Sequence, residues 1–326
     1  MSKILITGGS GYVGSYLVPH LINLGHKISV LDLMIYGENN LKKDENLNII
    51  KGDIRDQELL KKVIPGNDTV IHLACISNDP SFELNPKLGK SINLDPFEPL
   101  VEISKKNLVK RFIYASSSSV YGIKKENDVV EEMKLEPLTD YSKFKAECEK
   151  ILFKHKSNNF ETVVMRPATV CGYAPRQRLD VVVNILTNLA YHNRKMIIFG
   201  GEQLRPNIHI KDVAKAYEFL INATTDKVNG EIFNVGYENQ SVLELGETVK
   251  KIIGEDVKIE FKSTDDNRSY HISSKKIEKI LGFKAEHSIA DAVKDLKEAF
   301  QKDLLPNSLE DKKYFNIKMM KSIKLI

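Results

Sequence analysis

Through the first half of the chain, short continuous apolar runs alternate with stretches whose apolar residues recur at helical spacing. The apolar runs are Lys3–Thr7, 28–33, Leu47–Lys51, 69–74, 111–116 and 161–166. Strands covered on both faces read this way, because neither face meets water. Between the first two runs, Leu17, Leu21, Ile22 and Leu24 would point inward from a helix that stops at Gly25. Helical spacing also covers 57–64, 86–106 and 139–156. Strands separated by helices need crossovers, so the pattern predicts an α/β fold with a doubly wound parallel sheet. After about Pro167 the rhythm breaks, punctuated by Gly172, Pro175, Gly200, Gly201 and Pro206. This predicts a sheet domain over 1–167, with later segments returning to it, and a smaller C-terminal α/β substrate lobe with a tail over 168–326. The stretch after Pro306 is charged and poorly periodic, and is expected to wrap the surface or be loosely ordered.

Composition narrows the function classes. At 326 residues with 42% apolar content, there is ample material for a core. The net charge is only +4 and its signs are interspersed, so neither nucleic acid nor a membrane surface is implied as a partner. The N-terminus runs straight into a strand pattern without the features of a signal peptide, and no run of about 18 apolar residues occurs. Cys75, Cys148 and Cys171 are odd in number and far apart, which suggests reduced thiols in a cytoplasm and matches no zinc spacing. No metal is expected.

Two motifs carry chemistry. Tyr141 and Lys145 lie four apart in the last helical stretch, on one face. A free phenol, with a pKa of about 10, is a poor base at neutral pH. A neighbouring ammonium would lower that value and suit the pair to moving a hydroxyl proton. Upstream, Gly8, Gly11 and Gly14 follow the first apolar run and open a helix, with Tyr12 and Val13 between them. Such a loop lets backbone N–H groups approach a pyrophosphate, and the helix terminus adds partial positive charge. This is the arrangement of a Rossmann-type dinucleotide site. Asp32 closes the second run eighteen residues after Gly14, where a carboxylate accepts both ribose hydroxyls and repels a 2′-phosphate. No arginine follows it closely, which favours NAD over NADP. Asp53 and Ile54, just past the third run, fall where the adenine would lie, with Asp53 placed to read its amino group; Asp53 suits a helix N-cap equally well.

The serine run Ser116-Ser117-Ser118-Ser119, followed by Val120-Tyr121-Gly122, ends the fifth apolar run. With the glycine loop and the Tyr/Lys pair, it makes residues 3–300 resemble the extended short-chain dehydrogenase/reductase family. More narrowly, the chain resembles its NAD-dependent nucleotide-sugar epimerases and dehydratases. That resemblance implies Ser117, Tyr141 and Lys145 as catalytic residues, with Lys145 also on the nicotinamide ribose. It implies Leu73 and Ala74, after His72, along the pyrophosphate, and Asn93 near the cofactor, where an ordinary polar helix residue is the other reading. Substrate contacts are expected from Ser117, Ser118, Thr169, Arg205 and Arg268, since guanidinium groups pair well with phosphate. Dehydratases of the family carry an Asp-Glu pair where this chain has Ser118 and Ser119, which argues against 4,6-dehydration. Thr169 replaces the usual Asn, and Arg176 and Arg178 add cations nearby, as substrate contacts or solvated loop residues. The implied activity is oxidation at C4 of a nucleoside-diphosphate sugar, as a 4-epimerase or 4-dehydrogenase serving bacterial-type surface polysaccharide, in a cytoplasmic homodimer. The alternative is an NAD(H)-binding sensor or scaffold of the same fold.

Overall fold

The computed structural model describes residues 1–77, 79–124, 126, 128–264 and 271–323. Seven parallel strands form the central sheet: β1 (Lys3–Thr7), β2 (Lys27–Asp32), β3 (Leu47–Lys51), β4 (Thr69–His72), β5 (Arg111–Ala115), β6 (Glu161–Pro167) and, far downstream, β10 (Glu231–Val235). Their order is β10-β6-β5-β4-β1-β2-β3. Between β6 and β10 the chain forms β7 (Thr169–Cys171), β8 (Lys195–Phe199) and β9 (Leu204–His209); β11 (Glu238–Ser241) and β12 (Lys258–Lys262) follow. β11, β9 and β7 make one small sheet, and β12 pairs with β8 in another.

The period-two alternation of each central strand feeds two cores. Ile4, Ile6, Ile71, Ile113, Val163 and Met165 point to one face, whereas Leu5, Val70, Phe112, Tyr114 and Val164 point to the other. The first face is covered by α1 (Tyr12–Asn23) and α8 (Ile210–Asn222). The second is covered by α2 (Gln57–Val63), α4 (Pro86–Asn93), α5 (Phe97–Lys106) and α6 (Asp140–Lys154), with the short α3 (Asp79–Glu83) leading into them. α7 (Val182–Asn193), α10 (Val242–Ile253) and α12 (Ile289–Gln301) pack together over β8 in the second lobe. The short α9 (Thr225–Val228) and α11 (Lys275–Leu281) flank β10. No helix among the described residues is long and apolar enough to cross a membrane.

Three local expectations change. The helical stretch 86–106 is two helices, because Pro96 cannot donate into the ladder and disfavours a helical residue before it. Leu24 lies past the end of α1 and is 45% exposed, so it takes no part in the core. The tail is not loose: Leu305, Tyr314 and Met319 are buried, and α13 (Asn316–Ser322) packs against α3.

His72, at the end of β4, is 3% exposed and shares a 2.7 Å hydrogen bond with the Thr7 hydroxyl on β1. Burial, and then the Lys145 charge, push its pKa down to about 3. The imidazole is therefore neutral when folded but protonates in the unfolded chain below about 6.5. Its contribution to stability is complete above that value and is lost as pH falls toward 3. At pH 5 the expected loss is about 2 kcal/mol relative to pH 7. Urea midpoints of the wild type and His72→Gln at both pH values check this; equal acid sensitivity in the two proteins would refute it.

Candidate active site

The C-terminal ends of β1, β2, β4, β5 and β6 open onto one cleft, at the point where strand order reverses between β1 and β4. Along one wall run Gly8, Gly11, Tyr12, Val13 and Gly14. Gly8 has φ +74°, and a Cβ there would sit 2.6 Å from the Ala74 nitrogen, so only glycine lets β1 turn this close to the loop after β4. A Cβ at Gly14 would collide with the Gly9 carbonyl, so its absence lets α1 start tight against the strand. The Asp32 carboxylate accepts from the Ser10 and Met34 N–H groups at 2.9 and 2.7 Å. Burial raises its pKa, against the pull of those two bonds. Leu73, Ala74, Ile54 and Thr169 also line the cleft.

On the opposite wall, Thr139 caps α6 and donates its hydroxyl to Asp79. Tyr141 follows in the first turn. Lys145, 5% exposed, donates to the Ala115 carbonyl at 2.6 Å, with its nitrogen 5.8 Å from the Tyr141 ring centroid. Ser117 begins the 3₁₀ turn Ser118–Tyr121, its oxygen 2.9 Å from the Ser119 hydroxyl. Ser117, Ser118, Tyr141 and Lys145 therefore face one space. Burial pushes the Tyr141 phenol well above its ordinary pKa, and the Cys75 and Asp79 charges add to this. The Arg178 charge and the hydrogen bond to Ser117 pull it down. Lys145, expected to lower the phenol, donates to the end of β5, and Arg178 brings a second cation whose charge favours the phenolate.

Three expected site residues are not themselves among the cleft-lining side chains. Asp53 is taken by Arg55, whose Nε and Nη2 reach its Oδ2 at 2.9 and 2.7 Å; the cap of α2 is Asp56, not Asp53. Asn93 spends its amide on Ile76, accepting from its N–H at 2.8 Å and donating to its carbonyl at 3.0 Å. It holds the loop that lines the cleft without facing it. Arg205 sits on β9, donates to the Leu204 carbonyl at 3.1 Å and is not among the cleft-lining side chains. Arg268 lies outside the described residues.

Arg176 and Arg178 both line the cleft. Arg178 bonds Asp180 at 2.6 Å and Ser77 at 3.3 Å. No arginine follows Asp32 closely in the sequence, but Arg176 comes near enough in space for its charge to favour the Asp32 carboxylate. Sequence reading also missed Tyr36, Ser77, Asp79 and Asn316, all in the cleft wall. It missed Glu149 as well, which holds the site from behind although it continues the four-residue step Tyr141, Lys145 along the buried face of α6. Glu149 accepts from the Ser116 hydroxyl and from Nη2 of Arg166 at 2.6 Å.

The family model described as NAD dependent epimerase/dehydratase family matches residues 4–236. The chain belongs to that family. Among its relatives it is similar to a UDP-glucose 4-epimerase of Lactobacillus helveticus, 27% identical over 89% of this chain and 94% of that protein. It is also similar to a dTDP-D-glucose 4,6-dehydratase of Dictyostelium discoideum, 32% identical over 72% of this chain and 58% of that protein. A solved UDP-glucose 4-epimerase from Thermotoga maritima, with UDP-glucose, superposes with TM-score 0.84 at 27% identity, covering 93% of this chain and 99% of that one. As an epimerase/dehydratase family member the chain is an NAD-dependent enzyme. The glycine wall, the start of α1 and the Asp32 carboxylate fit that cofactor. When bound, NAD would supply the acceptor for a hydride from a substrate carbon.

Proposed function

We propose that this epimerase/dehydratase family member oxidises C4 of a nucleoside-diphosphate sugar, as a 4-epimerase or a 4-dehydrogenase. One observation carries the reading: Ser117, Tyr141 and Lys145 converge at the end of β5, with hydroxyls and no carboxylates at positions 118 and 119. Ser117 holds the reacting hydroxyl and Tyr141 takes its proton. Lys145, pinned to the Ala115 carbonyl, keeps an ammonium beside them. Arg178 and Thr169 face the substrate from the opposite side, where a guanidinium suits a diphosphate or a polar sugar substituent. Elimination at C5 and C6 needs a further acid and base, and serine hydroxyls do not supply them at neutral pH. The similarity to UDP-glucose 4-epimerases supports the same reading. We place the enzyme in a cytoplasmic route to surface polysaccharide, as a homodimer packed through the outer faces of α5 and α6.

The test is turnover of GDP-, UDP-, dTDP- and CDP-linked sugars in heavy water, read by NMR and mass spectrometry. The expected product is C4-inverted without carbon-bound deuterium, or a ketose formed with stoichiometric reduced cofactor. Deuterium on carbon would reveal enolisation or elimination and overturn the reading. NAD binding with no turnover of any sugar would overturn it in favour of a binding protein.

A further inference from the structure

Arg176 is a buried cation without a carboxylate of its own. It is 4% exposed. One guanidinium nitrogen donates to the Asn316 carbonyl oxygen at 2.7 Å, and the group lies 3.6 Å from the centroid of the Tyr36 ring. Its Nε is buried with no hydrogen-bond partner among the described residues. Among the described residues, neither neighbouring carboxylate has a hydrogen bond from the Arg176 guanidinium. Asp180 accepts from Arg178 at 2.6 Å and from the Asn316 N–H at 2.7 Å. Asp32 accepts from the Ser10 and Met34 N–H groups. Burial holds the Arg176 pKa down to about 10, against the pull of Tyr36 and Asp180. A buried cation of this kind is costly unless an anion joins it.

The position of the residue says which anion. The Arg176 N–H donates to the Ser15 hydroxyl in the first turn of α1, at 3.1 Å. Tyr36, on which the guanidinium stacks, follows Asp32 on the loop leaving β2. Arg176 therefore belongs to the glycine-loop wall, between the carboxylate suited to a ribose and the helix terminus suited to phosphate. Arg178, two residues on, already has a carboxylate partner in Asp180.

We propose that Arg176 is a cofactor residue rather than a substrate residue: it seats the pyrophosphate of NAD, with Tyr36 and Asn316 holding the guanidinium in place. The C-terminal segment is then part of the dinucleotide site. Asn316 is joined to it through Arg176, Asp180 and Ser77, the last by a 2.9 Å bond from its amide nitrogen. The inference rests on NAD being the cofactor and not on which sugar is oxidised, so failure of the substrate panel leaves it standing.

The experiment is calorimetric titration of nucleotide-stripped protein with NAD, ADP, adenosine and UDP. Arg176→Met is expected to weaken NAD and ADP on the order of tenfold or more, while adenosine and UDP hold their wild-type affinities. Asn316→Ala, which keeps the cation but removes its anchor, is expected to shift NAD and ADP in the same direction by less. Circular dichroism and thermal midpoints establish that each variant is folded; if Arg176→Met is not, Asn316→Ala decides. Loss of UDP affinity with ADP unchanged would return Arg176 to the substrate. Equal loss of ADP and adenosine would reduce it to a structural residue, and unchanged binding in both variants would end the proposal.

Discussion

Tyr141→Phe is expected to lower turnover by about 10²–10⁴-fold while leaving NAD binding at its wild-type strength, because removal of a positioned proton acceptor forfeits a contribution of that size. The substitution deletes one hydroxyl from a side chain whose ring is already held by α6, so the cleft keeps its shape. Rapid-mixing measurement of reduced-nicotinamide absorbance isolates the loss on the chemical step. The wild-type pH profile adds a second reading. Burial holds the phenol above its ordinary pKa, so only its deprotonated fraction can take the substrate proton. The deprotonated fraction grows with pH, and so should the rate of the oxidative half-reaction, a slope that disappears in Tyr141→Phe. Near-normal turnover in the variant would remove Tyr141 from the chemistry.

The second large effect lies behind the cleft. Glu149 and Arg166 form a bidentate pair, at 2.9 and 2.6 Å, with side chains 4% and 2% exposed. Arg166 also donates to the Tyr121 hydroxyl at 2.8 Å, and Tyr121 donates onward to Asn234 on β10 at 2.7 Å. Glu149→Ala leaves the guanidinium buried without its counterion and should cost about 3–5 kcal/mol in urea unfolding. Replacing both partners with apolar residues of similar volume, as in Glu149→Leu with Arg166→Met, should recover most of that loss, because no orphan charge remains. The same carboxylate holds the Ser116 hydroxyl next to Ser117, so both variants should also turn over more slowly than their stability accounts for. A Glu149→Ala cost below about 1 kcal/mol would mean that water reaches the pair.

How much of this was legible in the sequence follows from how far each interaction reaches. The central strands announce themselves because a doubly covered strand has no polar face to hide. Tyr141 and Lys145 are legible because their spacing is fixed within one helix. The break between α4 and α5 was passed over although Pro96 marks it, because helical spacing runs on across it. The partners that Asp53, Asn93 and Arg205 take within the chain were not legible, because a side chain's residue type does not name its partner. Asp53 meets Arg55 two residues away, and Asn93 meets the backbone of Ile76. Asn316 was beyond reach, since its contacts to Arg176 and Ser77 span 140 and 239 positions. Only the folded chain brings those residues to one wall.

β10 sits at the edge of the central sheet, paired along its whole length with β6, yet the intervening sixty-odd residues build much of the second lobe. The backbone thus leaves the sheet and comes back to finish it, which stitches the lobes together more than once. A chain cut after Pro167 would present β6 as a raw apolar border, inviting self-association instead of a usable cofactor module. Nor can the cleft open like two plates on one string. Access for a substrate should come from loops and side chains at its mouth, and heat should melt both lobes in a single transition.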